Sequence, residues 1–139
     1  CVALLNERQL DSVNVGDSGF IIIRDGQVVQ ARQVTIHGFN FPFQLGKEGP
    51  DRPEDGVVGR FEIKLEDIII MGTDGLWDNL FEDQVAELTV WQSDMSDLAK
   101  NIGEEARLAA TDPGRKTPWS GVGGKLDDIS VIAARVVFA

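Results

Sequence analysis

Apolar residues come in short bursts along the first third of the chain, at Val2 to Leu5, Leu10 to Val15, Phe20 to Arg24 and Val28 to Val34. Each burst has the length of a β-strand. Turn signals separate them: Asn6-Glu7-Arg8-Gln9, Gly16-Asp17-Ser18-Gly19 and Asp25-Gly26. An Asp-Gly pair between β-branched runs predicts a tight hairpin, and the spacing predicts an antiparallel meander. From His37 to Gly59 no period holds, and glycines and prolines punctuate a long irregular segment of the kind that tends to be functional or mobile. Arg60 to Leu65 then alternates Phe61, Ile63 and Leu65 with polar residues, as a half-buried strand does. Ile68-Ile69-Ile70-Met71 is continuously apolar and predicts a strand covered on both faces.

Beyond this point the period lengthens to that of a helix. Glu82 and Asp83 suit a first helical turn, where the helix dipole favours negative charge, and Val85 and Leu88 supply one apolar face. Ser93 predicts the N-cap of a second helix. Its face is Met95, Leu98, Ile102, Ala106 and Ala109, and Pro113 closes it. Thr111 to Lys125 is a Gly/Pro-rich loop, and Ile129 to Phe138 reads as a final strand. The order is strands, loop, strands, two helices, strand. It predicts an α+β fold of mainly antiparallel sheets rather than a βαβ alternation.

Composition narrows the function. The 139 residues fit one domain or part of one, and 42% of them are apolar, enough for a real core. A net charge of −10 argues against a nucleic-acid-binding face and against polybasic membrane attachment. No apolar run is long enough for a transmembrane helix, so membrane insertion is not expected. The lone cysteine, Cys1, rules out an internal disulfide and a Cys-rich zinc site, and the single histidine, His37, reads as structural. The opening Cys1-Val2-Ala3-Leu4-Leu5 reads as an internal strand, not a targeting signal. The chain is therefore expected to be a piece of a longer protein.

The candidate chemistry lies in acidic turns at strand ends: Gly16-Asp17-Ser18-Gly19, Gly72-Thr73-Asp74-Gly75-Leu76-Trp77-Asp78 and Leu126-Asp127-Asp128-Ile129. Brought together, they would form an oxygen-rich pocket for hard divalent cations. Taken singly, each is also an ordinary turn. One helical turn from Gly75 to Asn79 would set Asp74 and Asp78 on the same side. Asp127 and Asp128 alternate along a strand, so one of them would serve the site and the other would not. Ser18 has no neighbouring histidine, and no catalytic nucleophile is assigned. The arginines are scattered without a phosphate clamp, and Trp77, Trp91 and Trp119 read as packing residues.

In this order the three motifs resemble the C-terminal half of the protein phosphatase 2C family of metal-dependent Ser/Thr phosphatases. His37-Gly38-Phe39-Asn40, Gln44-Leu45-Gly46 and Gly123-Gly124-Lys125 are similar to the PTC7-like branch. The resemblance implies that residues 1–139 are the C-terminal part of a single phosphatase domain, a four-layer α-β-β-α sandwich with metals at one end. It implies Mg²⁺ or Mn²⁺ as cofactor, with Asp74 and Asp127 as ligands of a dinuclear centre. Asp17, Asp74 and Asp78 would form a weaker third-metal site, and Asp128 and Gly75 would support the ligands from outside. The implied activity is hydrolysis of phosphoserine and phosphothreonine in phosphoprotein substrates by a metal-activated water. A monomer is implied, inside the cell, with the mitochondrion or chloroplast as the compartments that PTC7-like relatives suggest. The family's N-terminal Asp-Gly pair and phosphate-binding arginine are not in this sequence. A catalytically incomplete phosphatase-like binding module is the competing expectation.

Overall fold

A computed structural model describes residues 1–137; the last expected strand residue, Phe138, lies outside them. Strands β1 (Val2–Asn6), β2 (Gln9–Asn14) and β7 (Val57–Glu62) form one antiparallel sheet, with β2 in the middle. A second antiparallel sheet has the order β4 (Gln27–Gln30), β3 (Gly19–Arg24), β8 (Ile68–Gly72), β9 (Val131–Arg135). A small hairpin of β5 (Ile36–Gly38) and β6 (Phe41–Pro42) stands apart, inside the segment expected to be irregular. The helices are a single turn α1 (Asp74–Trp77), then α2 (Glu82–Thr89) and α3 (Met95–Thr111).

Side-chain alternation decides the layering. Ile21 and Ile23 of β3 and Ile68 and Ile70 of β8 point to one face of the second sheet. There they pack on Val85 and Ala86 of α2 and on Leu98, Ile102, Ala106 and Ala109 of α3. Phe20, Ile22, Ile69 and Met71 point the other way, against Leu10 and Phe61 of the first sheet. The run Ile68 to Met71 is thus covered on both faces, as its continuous apolarity predicts. Helices, sheet and sheet make three layers; a second helical layer is not formed among the described residues. In its place Val2 and Val58 lie on the outer face of the first sheet, paired through Val13, and are 64% and 79% exposed.

Three sequence expectations need correction. The meander breaks after β2, because β2 pairs with β7 while β3 pairs with β8. Gly16, at φ 101°, carries the chain from one sheet to the other instead of turning a hairpin. The Asp25-Gly26 turn does form a hairpin, with both residues at positive φ. Helix α3 is capped by Asp94, not Ser93: the Asp94 carboxylate accepts the N–H groups of Ser96 and Asp97 at 2.8 and 2.9 Å. Trp91 is 89% exposed and packs no core.

Candidate metal centre

Strand direction brings the acidic turns together. β3 begins, β8 ends and β9 begins at the same end of the second sheet, where Gly19 pairs with Gly72 and Gly72 with Val131. Asp17 precedes β3, Asp74 follows β8 and Asp127 precedes β9, so neighbouring antiparallel strands deliver all three to one rim. The turn of α1 adds Asp78, whose N–H donates to the Asp74 carbonyl at 2.7 Å. Thr73 is the N-cap of this turn.

The carboxylates converge on one cation, the ammonium of Lys125. Its Nζ lies 2.9 Å from Asp74 Oδ2, 3.0 Å from Asp78 Oδ2 and 2.9 Å from Asp127 Oδ2. The second oxygens of two of these groups are held elsewhere. Asp74 Oδ1 accepts the N–H of Gly75, and Asp127 Oδ1 accepts the N–H of Asp128, both at 2.9 Å. Asp17 is not among the ammonium's contacts. It lies near enough to Asp78 to repel its charge, while its carbonyl accepts from Arg32 Nη1 at 2.9 Å. Asp128 contributes through its backbone, its carbonyl accepting from Thr73 Oγ1 at 3.1 Å.

Electrostatics follow this packing. Burial alone would lower the affinity of Lys125 for its proton, but hydrogen bonds to Asp74, Asp127 and Asp78 outweigh it and raise the pKa well above the ordinary lysine range. The Lys125 hydrogen bond holds the Asp127 carboxyl below its usual range. Asp78 shares that ammonium yet moves up. Burial penalises its charge, and Asp74 and Asp17 repel it, by more than Lys125 returns.

Two close approaches hold the turns in place. The Asn79 side chain donates to the carbonyls of Gly75 and Lys125 at 2.8 and 2.9 Å and accepts the Lys125 N–H at 2.9 Å. Gly75 packs so closely on the Asp128 carbonyl that a Cβ would overlap it. Trp77 is buried behind the site, and its indole N–H donates to the carbonyls of Gly72 and Gly19 at 2.9 and 3.2 Å. Arg32 stacks on that ring at 4.9 Å, within electrostatic reach of Asp17 and Asp78.

Lys125, Asn79 and Arg32 are the neighbours to which the sequence assigned no place in the site. Lys125 entered only through the Gly123-Gly124-Lys125 motif, because a lysine in a Gly-rich loop has no period to tie it to the distant aspartates. Asn79 adjoins the acidic motif, which was the available signal. His37 lies in the small hairpin, 2.8 Å from Asp51 and stacked on Phe43, as a structural histidine does.

The donor set is all carboxylate oxygen, without histidine or cysteine, which suits a hard divalent cation rather than zinc. Gathered round the ammonium, no three acidic, histidine or cysteine side chains among the described residues are spaced to hold a metal ion directly. The fit therefore lies in the chemistry of the donors, three carboxylate oxygens that converge on one positive charge.

No protein-family model matches the chain. Among known sequences it is 38% identical over 151 residues to Probable protein phosphatase 2C 55 of Arabidopsis thaliana, covering 98% of this chain and 32% of that protein. It is 33% identical over 161 residues to Protein phosphatase PTC7 homolog of Danio rerio, covering 98% of this chain and 54% of that protein. The photosystem II phosphatase PBCP superposes with a TM-score of 0.93 at 29% identity, over 97% of this chain and 62% of PBCP. The catalytic domain of the phosphatase PstP, solved with two manganese ions, shares the fold at a TM-score of 0.68 and 19% identity, over 97% of this chain and 57% of its own. The chain thus spans about a third to a half of the length of the sequence relatives it matches. With its acidic turns gathered at one sheet end and these relatives across nearly its whole length, the chain belongs to the protein phosphatase 2C family.

Proposed function

We propose that this chain carries part of the metal centre of a protein Ser/Thr phosphatase that hydrolyses phosphoserine and phosphothreonine with Mg²⁺ or Mn²⁺. The observation behind this reading is the meeting of Asp74, Asp78 and Asp127 on a single positive charge. Asp74, Asp127 and Asp78 would hold the cations, with Asp17 at the edge of the group. Bound there, divalent cations supply activation of water and neutralisation of phosphoryl charge. The chain's own residues do the positioning. Gly75 lets the Asp74 turn close on the Asp128 backbone, and Asn79 locks the loop that carries Asp127 to the turn that carries Asp78. The two manganese ions of PstP, a protein that shares the fold, support a divalent cofactor.

In the same reading, residues 1–139 are part of one phosphatase domain, which the rest of the polypeptide completes. The exposed valine row of the first sheet supports this, since such a row is normally covered. The retained aspartates speak against a metal-free binding module. The test is hydrolysis of a phosphothreonine peptide by the protein carrying this chain, in Mn²⁺ and in EDTA. Turnover in Mn²⁺ that disappears in EDTA and in Asp74→Asn is the expected result. Equal turnover in EDTA would refute it.

A further inference from the structure

We propose that the Lys125 ammonium is a built-in rival of the divalent cation: the two take the same carboxylate oxygens in turn, and metal enters only as the lysine side chain swings out. This rests on the metal-site reading of Asp74, Asp78 and Asp127.

Three observations carry it. First, the oxygens in question are the same. Lys125 holds the Oδ2 atoms of Asp74, Asp78 and Asp127, and the Oδ1 atoms of Asp74 and Asp127 already accept a backbone N–H each, so a cation drawing on these three carboxylates meets the ammonium at the oxygens where they converge. Second, the two cations need different spacings. The ammonium sits 2.9 to 3.0 Å from its three oxygens, whereas Mg²⁺ requires about 2.0–2.1 Å. The carboxylates cannot satisfy both, and a divalent ion beside an ammonium is repelled.

Third, the movable part is confined to the side chain. Asn79 grips both the N–H and the carbonyl of Lys125. Gly124 lies against the end of α3, where a Cβ would come within 2.5 Å of Ala110 Cα. The backbone at residue 125 is therefore fixed. The four-carbon stem is flexible, and a place to land is already in contact: the ammonium lies 4.9 Å over the Trp119 ring. Rotation across that ring takes the charge off the carboxylates without disturbing the loop. Until metal arrives, the ammonium keeps three like charges from driving the turns apart.

The experiment compares wild type, Lys125→Met and Asp74→Asn in the protein carrying this chain, with Mn²⁺ as the probe. Calorimetric titration should give Lys125→Met an affinity for Mn²⁺ about tenfold higher or more. In EDTA the same variant should melt below wild type, and saturating Mn²⁺ should remove the difference. In wild type, mass spectrometry after amine acylation should find Lys125 slow to react in EDTA and faster in Mn²⁺, with the exposed Lys47 unchanged. A folded Lys125→Met variant that binds Mn²⁺ no better than wild type overturns the rivalry. Should that variant fail to fold, acylation decides, and a Lys125 that reacts no faster in Mn²⁺ overturns it equally. If Asp74→Asn binds Mn²⁺ as wild type does, the metal-site reading falls and the rivalry with it. If Asp74→Asn loses Mn²⁺ while Lys125→Met gains nothing, the rivalry alone falls.

Discussion

The Asn79 carboxamide reads both polar groups of Lys125, accepting its N–H and donating to its carbonyl, each at 2.9 Å. Forty-six residues separate the two, so one buried side chain does for the closing loop what a paired strand would do. Asn79→Ala leaves the Lys125 N–H and the Gly75 and Lys125 carbonyls short of a partner. At about 1–3 kcal/mol for an unsatisfied buried group, a loss of about 3 kcal/mol is expected in urea unfolding. Mn²⁺ affinity should fall with it, because Asp127 rides on the same loop.

Asp74→Asn and Asp127→Asn should each lower kcat/KM on a phosphopeptide in Mn²⁺ by about 100-fold or more, since loss of even an outer partner of a metal ligand typically costs 10–100-fold. Asp128→Asn should change it by less than about tenfold, because Asp128 contributes its carbonyl and N–H, which the substitution keeps.

Two glycines should respond with opposite signs. Gly75→Ala forces a Cβ into the Asp128 carbonyl, and overpacking of this kind costs about 1–3 kcal/mol. Gly103→Ala, within α3, would place its Cβ 3.9 Å from Val131 Cγ2, an ordinary contact. It should stabilise by about 0.4–1 kcal/mol through the lower entropy of the unfolded chain. Thermal melts of both variants check the pair.

Stability should fall in acid through Asp67, a buried carboxylate far from the metal site. Burial alone would raise its pKa. Hydrogen bonds from Arg24 Nη2 and Nε and from the Lys64 N–H, all at 2.7 Å, outweigh it and hold the pKa below 3.8. A depressed carboxyl contributes stability above its unfolded pKa, and that contribution is lost as pH falls through the lower folded value. The window is therefore below about pH 4. Urea unfolding from pH 7 to pH 2.5 should follow this fall, and Asp67→Asn should be weaker at pH 7 and flatter below pH 4.

Local chemistry made part of this molecule legible from its sequence. The Asp-Gly hairpin, the doubly covered Ile68 to Met71 strand and the face of α3 follow from turn geometry and periodicity alone. The acidic turns were visible because aspartate beside glycine at a strand end is a compact signal. What escaped depended on contacts distant along the chain. The break between β2 and β3 is decided by which partners, β7 and β8, the two strands find across the fold. Lys125 meets Asp74 and Asp78 across 51 and 47 residues, and nothing in its own loop announces them. Ser93 and Asp94 are both competent caps, and the extended backbone at Asp94 chose between them.

The ammonium resting on Trp119 gives the molecule an optical handle. A cation against an indole face alters its fluorescence, so departure of Lys125 should change the emission of Trp119 without any attached label. Trp77, sealed at 1% exposure, and Trp91, at 89%, add emission of their own, so a Trp119→Phe variant identifies the part of the change that Lys125 causes. Arrival of a colourless metal ion could thus be followed by eye of the spectrometer alone, at the speed of a stopped-flow mixer.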